Sequence, residues 1–167
     1  MNNLPYQEIK FRRACISEIL GLRHRILRPG LPEESAVFDG DILDDTLHFC
    51  AFRTCPGEGE NLEILSCVSF MLVPEYSLQS KMYSLQLQMR GMATETSLQK
   101  MGVGRNLLLF AESAIGKLFG KRIPVWCNAR QEAVPFYEQN GWIVTSDIFD
   151  IPGVGPHKKM RKVFNPS

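Results

Sequence analysis

The chain has 167 residues, a length typical of one domain with one hydrophobic core. Apolar residues make up 44% of it, and the formal net charge is only +1. Such a balance of charge is unlike that of proteins that bind nucleic acid or membranes through bulk charge, so we expect neither partner. The first residues are polar and the longest apolar runs are short, so we expect no signal peptide and no membrane helix.

The five cysteines are Cys15, Cys50, Cys55, Cys67 and Cys127. Their odd number and their spacing fit neither a disulfide framework nor a zinc site, and no metal is expected. Reduced thiols in the cytoplasm are the simplest interpretation. Cys50 and Cys55 flank a short turn and could approach each other, although functional pairs are uncommon in intracellular proteins.

In the first half of the chain, we predict a strand over 8–12 and then a helix that is capped by Ser17 and ends at Arg28-Pro29-Gly30. The acidic segment 31–45 is predicted to be a loop with at most one helical turn. Strands are predicted over 48–53 and 62–73, joined by a turn over 54–61, and 74–81 is predicted to be a connection. Tyr83, Leu85, Leu87 and Met89 then alternate with polar residues, as in a strand with one apolar face.

In the second half, a helix is predicted over 102–119. Its predicted inner face is Leu107, Leu108, Ala111, Ala114, Ile115 and Leu118. A strand over 123–127, a helix over 130–139 and closing strands over 142–149 and 159–164 follow, the last two separated by a turn at 152–156. We therefore predict one α/β domain over 1–167, with a mixed, mostly antiparallel central sheet flanked by helices.

A glycine-rich turn, Gln99-Lys100-Met101-Gly102-Val103-Gly104-Arg105, lies between a predicted strand and a predicted helix. Glycines let the backbone approach a ligand, and the first amides of a helix suit a phosphate group. A plain turn before a core helix is the alternative. A P-loop is excluded because no Ser or Thr follows at the required position. A dinucleotide fingerprint fails because Leu107 stands in place of its third glycine.

This turn resembles the acyl-CoA signature of the Gcn5-related N-acetyltransferases (GNATs): Gln or Arg, two residues, Gly, one residue, then Gly or Ala. Gln99, Gly102 and Gly104 match it in full. The resemblance implies an acyl-CoA N-acyltransferase fold with a splayed strand pair. It also implies an enzyme that moves an acetyl group from acetyl-CoA to a primary amine by direct attack in a ternary complex. The pyrophosphate of CoA would be held by the turn, which makes its members candidate ligands: Gln99, Lys100, Met101, Gly102, Val103, Gly104 and Arg105.

The strand before the turn carries Met92, Ala93 and Thr94, which the resemblance implies are also cofactor-binding residues. Pantetheine contains two amides, so backbone groups of a strand can recognise it. The resemblance implies that the Met92 amide polarises the acetyl carbonyl and that Thr94 pairs with pantetheine. Gly91 could support a bulge that frees these groups. An ordinary interior strand is the alternative.

A second pattern of the same family lies further along the chain. A strand that ends in Asn128 is followed by a helix containing Ala133, Phe136 and Tyr137, and then by Asn140-Gly141-Trp142. The resemblance implies a cofactor cleft between the splayed strands, where Asn128 would donate to a pantetheine oxygen. Phe136 would belong to the core or line that cleft.

Tyr137 is the candidate catalytic residue. In the context of this second pattern, its phenol would lie near the sulfur and protonate the departing CoA thiolate. An unperturbed pKa of about 10 keeps such a phenol protonated at neutral pH. A core aromatic with a hydrogen-bonded hydroxyl is the alternative.

No carboxylate stands on the strand before the turn, where Gln86 and Gln88 occupy the predicted polar face. The base that deprotonates the amine is therefore sought elsewhere. The candidates are Glu95, His48, His157 and the group Asp39, Asp41, Asp44 and Asp45, or a chain of waters. We expect His48 to be structural and His157 to be solvated. Part of the acidic group is expected to hold an acceptor with a second positive charge.

Two other classes of protein remain open. One is a non-catalytic domain of the same fold that binds or senses acyl-CoA, which a turnover assay distinguishes. The other is a structural or partner-binding domain without a cofactor, which a CoA-binding measurement distinguishes. For the enzyme, the expected acceptor is a small-molecule or peptide amine.

Overall fold

The computed structural model describes residues 8–54, 61–77, 79, 81–119 and 123–163. The helices and strands follow one another as β1 (Lys10–Ala14), α1 (Ile16–Leu27), β2 (Leu47–Thr54), β3 (Leu62–Ser77), β4 (Met82–Thr94), α2 (Val103–Phe119), β5 (Pro124–Arg130), α3 (Val134–Gln139), β6 (Ile143–Val144), β7 (Phe149–Ile151) and β8 (Gly155–Val163). Short 3-10 turns lie at Glu33–Ala36, Thr96–Leu98 and Gln131–Ala133. The strands are hydrogen-bonded in the order β1-β2-β3-β4-β5-β8-β6, and β7 pairs with β8. The predicted mixed, mostly antiparallel sheet with helices is thus confirmed.

The chain divides into two compact units. The N-terminal unit comprises residues 1–69 and 91–111, and in it β1 pairs antiparallel with β2 from Lys10↔Phe52 to Ala14↔His48. The inner face of α1 is apolar at helical spacing, and it contributes two side chains to a small buried cluster. This cluster consists of Ile19, Leu22, Cys50, Cys67 and Ala93.

The C-terminal unit comprises residues 70–90 and 112–167. Its long antiparallel ladder joins β5 to β8 from Pro124↔Val163 to Arg130↔His157, and β8 also pairs with β6 and β7. The described parallel ladder between β4 and β5 consists of two residue pairs, Leu87↔Val125 and Gln88↔Trp126, although both strands continue beyond it. Such a short ladder is what a splayed strand pair requires.

Several predicted boundaries in the first half shift. Helix α1 begins after Cys15, not after a Ser17 cap, because the Glu18 carboxylate accepts a hydrogen bond from the Cys15 amide at 2.8 Å and closes the first turn. Strand β3 runs through Pro74 to Ser77, so the connection that was predicted over 74–81 begins later. The predicted turn over 54–61 lies largely outside the described residues, as does Cys55.

On β4 the predicted alternation fails at one end. Leu85 is exposed although it belongs to the predicted apolar face, whereas Gln86 and Leu87 are both buried. Adjacent strand residues point to opposite faces, so β4 is covered on both faces at this point. In the second half, β8 begins at Gly155, and the predicted strand over 142–149 is broken between β6 and β7. Leu118 of α2 is exposed and does not belong to the inner face.

Candidate active site

The glycine-rich turn leads from β4 into α2 within the N-terminal unit. Lys100 and Gly102 have φ angles of 63° and 87°, and α2 begins at the next residue, Val103. Residues other than glycine rarely adopt φ angles in this range, so glycine at position 102 avoids the backbone strain that another residue would introduce. The Asn106 amide donates to the Gly102 carbonyl at 2.9 Å and starts the helical hydrogen bonding.

Gly104 lies where the first turn of α2 approaches the end of β4. A Cβ on Gly104 would lie 2.8 Å from Thr94 Oγ1, closer than real Cβ atoms pack, and 3.4 Å from Met92 Cε, an ordinary contact. The Gln99 side chain ties the turn between these two elements to the end of β4, because its Nε2 donates to the Thr94 carbonyl at 3.1 Å. The polar and glycine positions of the signature therefore have a local role: they hold the helix start against the end of β4.

The end of β4 is also fixed from β3. Ser66 Oγ donates to the Ala93 carbonyl at 2.8 Å and lies 2.8 Å from Thr94 Oγ1. Since each hydroxyl carries one hydrogen, Thr94 must be the donor in the second contact. The Thr94 hydroxyl can therefore only accept a hydrogen bond from a further group.

The predicted cofactor residues of this unit lie together, but their side chains differ in burial. Ala93 and Val103 are buried, and the Ala93 carbonyl already accepts a hydrogen bond from Ser66. Met101 is exposed, and so are the basic residues Lys100 and Arg105. Met92, Thr94 and Gly104 meet at the contact described above.

The C-terminal unit contains Asn128 and Tyr137. Asn128 is exposed on β5, and Tyr137 of α3 is only 6% exposed. The Tyr137 ring packs on Phe136 and Trp142, with ring centroids 5.1 Å and 5.6 Å away. Burial raises the pKa of Tyr137 well above 10, and a negative charge on the neighbouring Cys127 would act in the same direction. A phenol in this environment keeps its proton.

A buried carboxylate of this unit was not predicted. Glu112 of α2 accepts hydrogen bonds from Trp142 Nε1 at 3.1 Å and from Lys162 Nζ at 2.7 Å, and burial raises its pKa. Lys162 Nζ also donates to the Asn140 carbonyl at 2.6 Å, at the end of α3. The sequence does contain one indication that Glu112 is buried: it stands one helical turn after Leu108, on the inner face of α2.

Two candidate bases have structural roles. His48 is buried, with Nδ1 2.7 Å from Ser69 Oγ and Nε2 2.9 Å from the Asp41 carbonyl, so both ring nitrogens have partners. Asp41 is buried in an ion pair with Arg23. The expected structural role of His48 agrees with these contacts.

The other candidates differ in exposure. Asp39, Asp44 and Asp45 are exposed, and Glu95 is paired with Arg25. The expectation that His157 is solvated is wrong: it is 4% exposed, and its Nδ1 lies 2.7 Å from the Gly155 carbonyl. This contact arises because the strand β8 begins earlier than predicted.

Two further observations bear on partners and cofactors. None of the helices in the described part of the chain is long and apolar enough to cross a membrane. Within the described ranges, no group of three or more His, Cys, Asp or Glu residues is placed to hold a metal ion.

The mixed, mostly antiparallel sheet with its flanking helices is the fold seen in acyl-CoA N-acyltransferase structures. A family model described as the acetyltransferase (GNAT) domain matches residues 79–164, slightly more than half of the chain. The chain belongs to this family, and it transfers an acetyl group from acetyl-CoA to an amine.

One sequence relative and two solved structures are similar to the chain over most of its length. The chain is 28% identical over 159 residues to the uncharacterized N-acetyltransferase YitI of Bacillus subtilis, covering 95% of this chain and 99% of YitI. Escherichia coli ElaA has a similar structure, with a TM-score of 0.72, 15% identity and coverage of 93% and 99%. Arabidopsis thaliana NAA60 in complex with acetyl-CoA gives a TM-score of 0.68 at 16% identity, covering 93% of this chain and 98% of NAA60.

Proposed function

We propose that the chain acetylates a primary amine by direct attack of the amine on acetyl-CoA in a ternary complex, with Tyr137 as the general acid. The amine nitrogen forms a bond to the thioester carbonyl carbon, and the carbon–sulfur bond breaks. The leaving thiolate takes the phenol proton of Tyr137, and the proton lost by the nitrogen passes to water. The tyrosinate is then protonated again from solvent. The observation that supports this assignment is the phenol of Tyr137 on α3, beside Cys127 of β5, which burial keeps protonated at neutral pH.

Direct attack is favoured over an acyl-cysteine intermediate. Cys67 and Cys127 are buried, and burial raises the pKa of each thiol to about 12. A thiol reacts as a nucleophile through its thiolate, which is scarce at neutral pH under these conditions. Cys127 is therefore not proposed as an acetyl carrier, although it lies beside Tyr137.

We propose that the CoA-binding residues are those of the turn and the end of β4, together with Asn128. Met92, Ala93 and Thr94 would pair with pantetheine and polarise the acetyl carbonyl through the Met92 amide. Gln99, Lys100, Met101, Gly102, Val103, Gly104 and Arg105 would hold the pyrophosphate. The Thr94 hydroxyl oxygen would accept a hydrogen bond from an N–H group of pantetheine, since its own hydrogen points to Ser66. The support is the close packing of Gly104 on Thr94, which leaves the first amides of α2 uncovered by a side chain at that position.

For the acceptor, we propose an amine with a second positive charge, either a small molecule or a peptide. The support is the exposure of Asp39, Asp44 and Asp45 between α1 and β2. Asp41 is not part of this proposal, because its carboxylate is already paired with Arg23. No carboxylate replaces Gln86 and Gln88 on β4, so a water chain is proposed to deprotonate the amine.

We also propose that residues 1–167 act as one acyltransferase domain in the cytoplasm. The alignment with YitI, which spans 95% of the chain, supports one functional domain. Free thiols at Cys15, Cys50, Cys67 and Cys127 support a reducing compartment.

The test is an acceptor screen that follows free thiol release from acetyl-CoA, run beside a thermal shift with CoA. A ligand that binds only the folded protein stabilises it by about 2.7 kcal/mol at a hundredfold excess over Kd. Thiol release that depends on an amine supports the proposal. A thermal shift without turnover on any amine favours the acyl-CoA sensor, and the absence of a shift contradicts CoA binding.

A further inference from the structure

The N-terminal unit contains a fully buried arginine that the proposed reaction does not use. Arg23 of α1 is 0% exposed, and its guanidinium has several partners. Nη1 donates to Asp41 Oδ2 at 2.5 Å and to the Ala36 carbonyl at 2.9 Å, and Nη2 donates to Ser69 Oγ at 2.7 Å. The position of this side chain is therefore fixed at several atoms.

Stability alone does not explain such a group. A buried ion pair loses the hydration of both charges, and replacing one with well-packed apolar residues is often neutral or stabilising. The Asp41 partner is held as well, because its Oδ2 also accepts from the Phe38 amide at 2.7 Å. The shape of the guanidinium suggests another role, since it is planar and can stack closely on flat groups.

The two flat neighbours of Arg23 are an aromatic ring and a glycine backbone. The Phe38 ring centroid lies 4.4 Å from the Arg23 Cζ atom. A Cβ built on Gly91 would lie 2.7 Å from Arg23 Nε, 3.1 Å from Cζ and 3.2 Å from Phe38 Cε2. Because the guanidinium is hydrogen-bonded and buried, it cannot move aside as the end of a flexible side chain would. Any side chain at position 91 is therefore excluded.

Gly91 also has a φ angle of 63°, which side chains rarely adopt. This left-handed backbone conformation directly precedes Met92, whose amide is proposed to polarise the acetyl carbonyl. Cys67 Sγ contacts the Gly91 carbonyl at 3.5 Å from β3. The conformation at Gly91 sets the direction of the following peptide group, and the Arg23 guanidinium supports that conformation from one side.

We propose that Arg23 is a positioning residue for acetyl transfer: its guanidinium, which packs against both Phe38 and Gly91, holds the Met92 amide in the direction that polarises the acetyl carbonyl. This inference rests on the proposed role of Met92. It predicts that loss of the guanidinium reduces kcat while CoA still binds. Removing an oxyanion-type hydrogen-bond donor lowers kcat about 10²–10³-fold. Displacing such a donor without removing it lowers kcat by a part of this factor. We expect kcat to fall about tenfold to a hundredfold.

The experiment measures the infrared carbonyl stretch of acetyl-CoA labelled with ¹³C at its carbonyl, bound to the protein without an acceptor. Wild type is compared with Arg23→Met and with Arg23→Lys, which keeps the charge but lacks the flat group. Phe38→Leu is a milder variant, for use where Arg23 variants do not fold. Phe49→Leu is the matched control, because it removes part of a buried ring that packs on Phe110.

In wild type, the bound carbonyl is expected at a lower frequency than the free thioester. Arg23→Met and Arg23→Lys should lose much of this shift and should lower kcat, and Phe38→Leu should show the same changes to a smaller extent. The Kd for CoA should stay within about threefold of wild type in all three variants. Phe49→Leu should lower Tm but keep the shift. If the wild-type shift persists in the folded Arg23 variants, the positioning role is refuted while the Met92 assignment stands. If wild type itself shows no shift, both the Met92 assignment and the role of Arg23 are refuted.

Discussion

Replacing Gly104 with glutamate places a carboxylate at the proposed pyrophosphate site. The new Cβ would lie 2.8 Å from Thr94 Oγ1, so Thr94 must shift. Weakening its hydrogen bond with Ser66 costs about 0.5–1.5 kcal/mol. Removing a glycine from a helix gains about 0.5–1 kcal/mol, so we expect a net change in unfolding free energy within about 1 kcal/mol.

The effect on CoA should be much larger. Two unit charges about 4 Å apart repel each other by about 1 kcal/mol in bulk water and about 4 kcal/mol near a protein surface. A change of about 1.4 kcal/mol is tenfold in affinity, so the Kd for CoA should rise roughly fivefold to a thousandfold. Gly104→Ala, which adds the steric contact without the charge, should show a smaller loss.

The assay is calorimetric titration with CoA, and Gly116→Glu is the control. Gly116 lies in the same helix, and a Cβ there would meet no atom within 4 Å. The Gly116→Glu variant adds the same charge to α2 away from the turn, so its Kd for CoA should stay within about twofold of wild type. If folded Gly104→Glu binds CoA like wild type, the turn is not the pyrophosphate site. Equal losses in both variants would indicate a long-range effect of charge.

Three further predictions concern Tyr137, the acidic loop and Glu112. Tyr137→Phe should keep the affinity for acetyl-CoA and lower kcat about 10²-fold. The loss in kcat should be smaller with an acetyl thioester whose leaving thiol is more acidic, because that thiolate needs less protonation. Equal losses in kcat with the two acetyl donors would indicate a packing role for Tyr137. Because burial holds the pKa of Tyr137 well above 10, the wild-type kcat should show no loss from tyrosine ionisation below about pH 10. Asp39→Asn, Asp44→Asn and Asp45→Asn combined should raise KM for a dicationic acceptor several-fold and leave KM for acetyl-CoA unchanged, and unchanged acceptor kinetics would remove the loop from the acceptor site. Burial raises the pKa of Glu112, so its protonation favours the fold: this contribution is complete below the unfolded pKa of about 4.3 and disappears as pH rises through the folded value. Glu112→Gln should lack this dependence in urea unfolding between about pH 4 and 8, and identical pH profiles would contradict the argument.

Local patterns predicted most of the fold. Helices α1 and α2 were found within a residue or two because their apolar residues repeat at helical spacing and the turns after or before them contain glycine. The strands β3 and β4 were found from their β-branched and alternating residues, but not their full lengths. In the sequence, Pro74 indicates the end of a strand, but strand β3 continues through it.

Contacts between distant residues could not be predicted in the same way. The sequence places Arg23 one turn after Ile19, on the apolar face of α1, but the partners Asp41 and Ser69 are known only once the chain is folded. The same holds for Glu112, whose partners Trp142 and Lys162 come from later segments. Buried charges are satisfied by tertiary contacts, and such contacts have no local signature.

Strand β8 has a consequence for biosynthesis. It pairs with β5, β6 and β7, and all three precede it in the chain. After β5 has left the ribosome, and until β8 has followed it, the β5 edge that β8 will cover remains open. An open strand edge is a template for pairing with another nascent chain. We therefore expect nascent chains that have released β5 but not yet β8 to depend most strongly on chaperones.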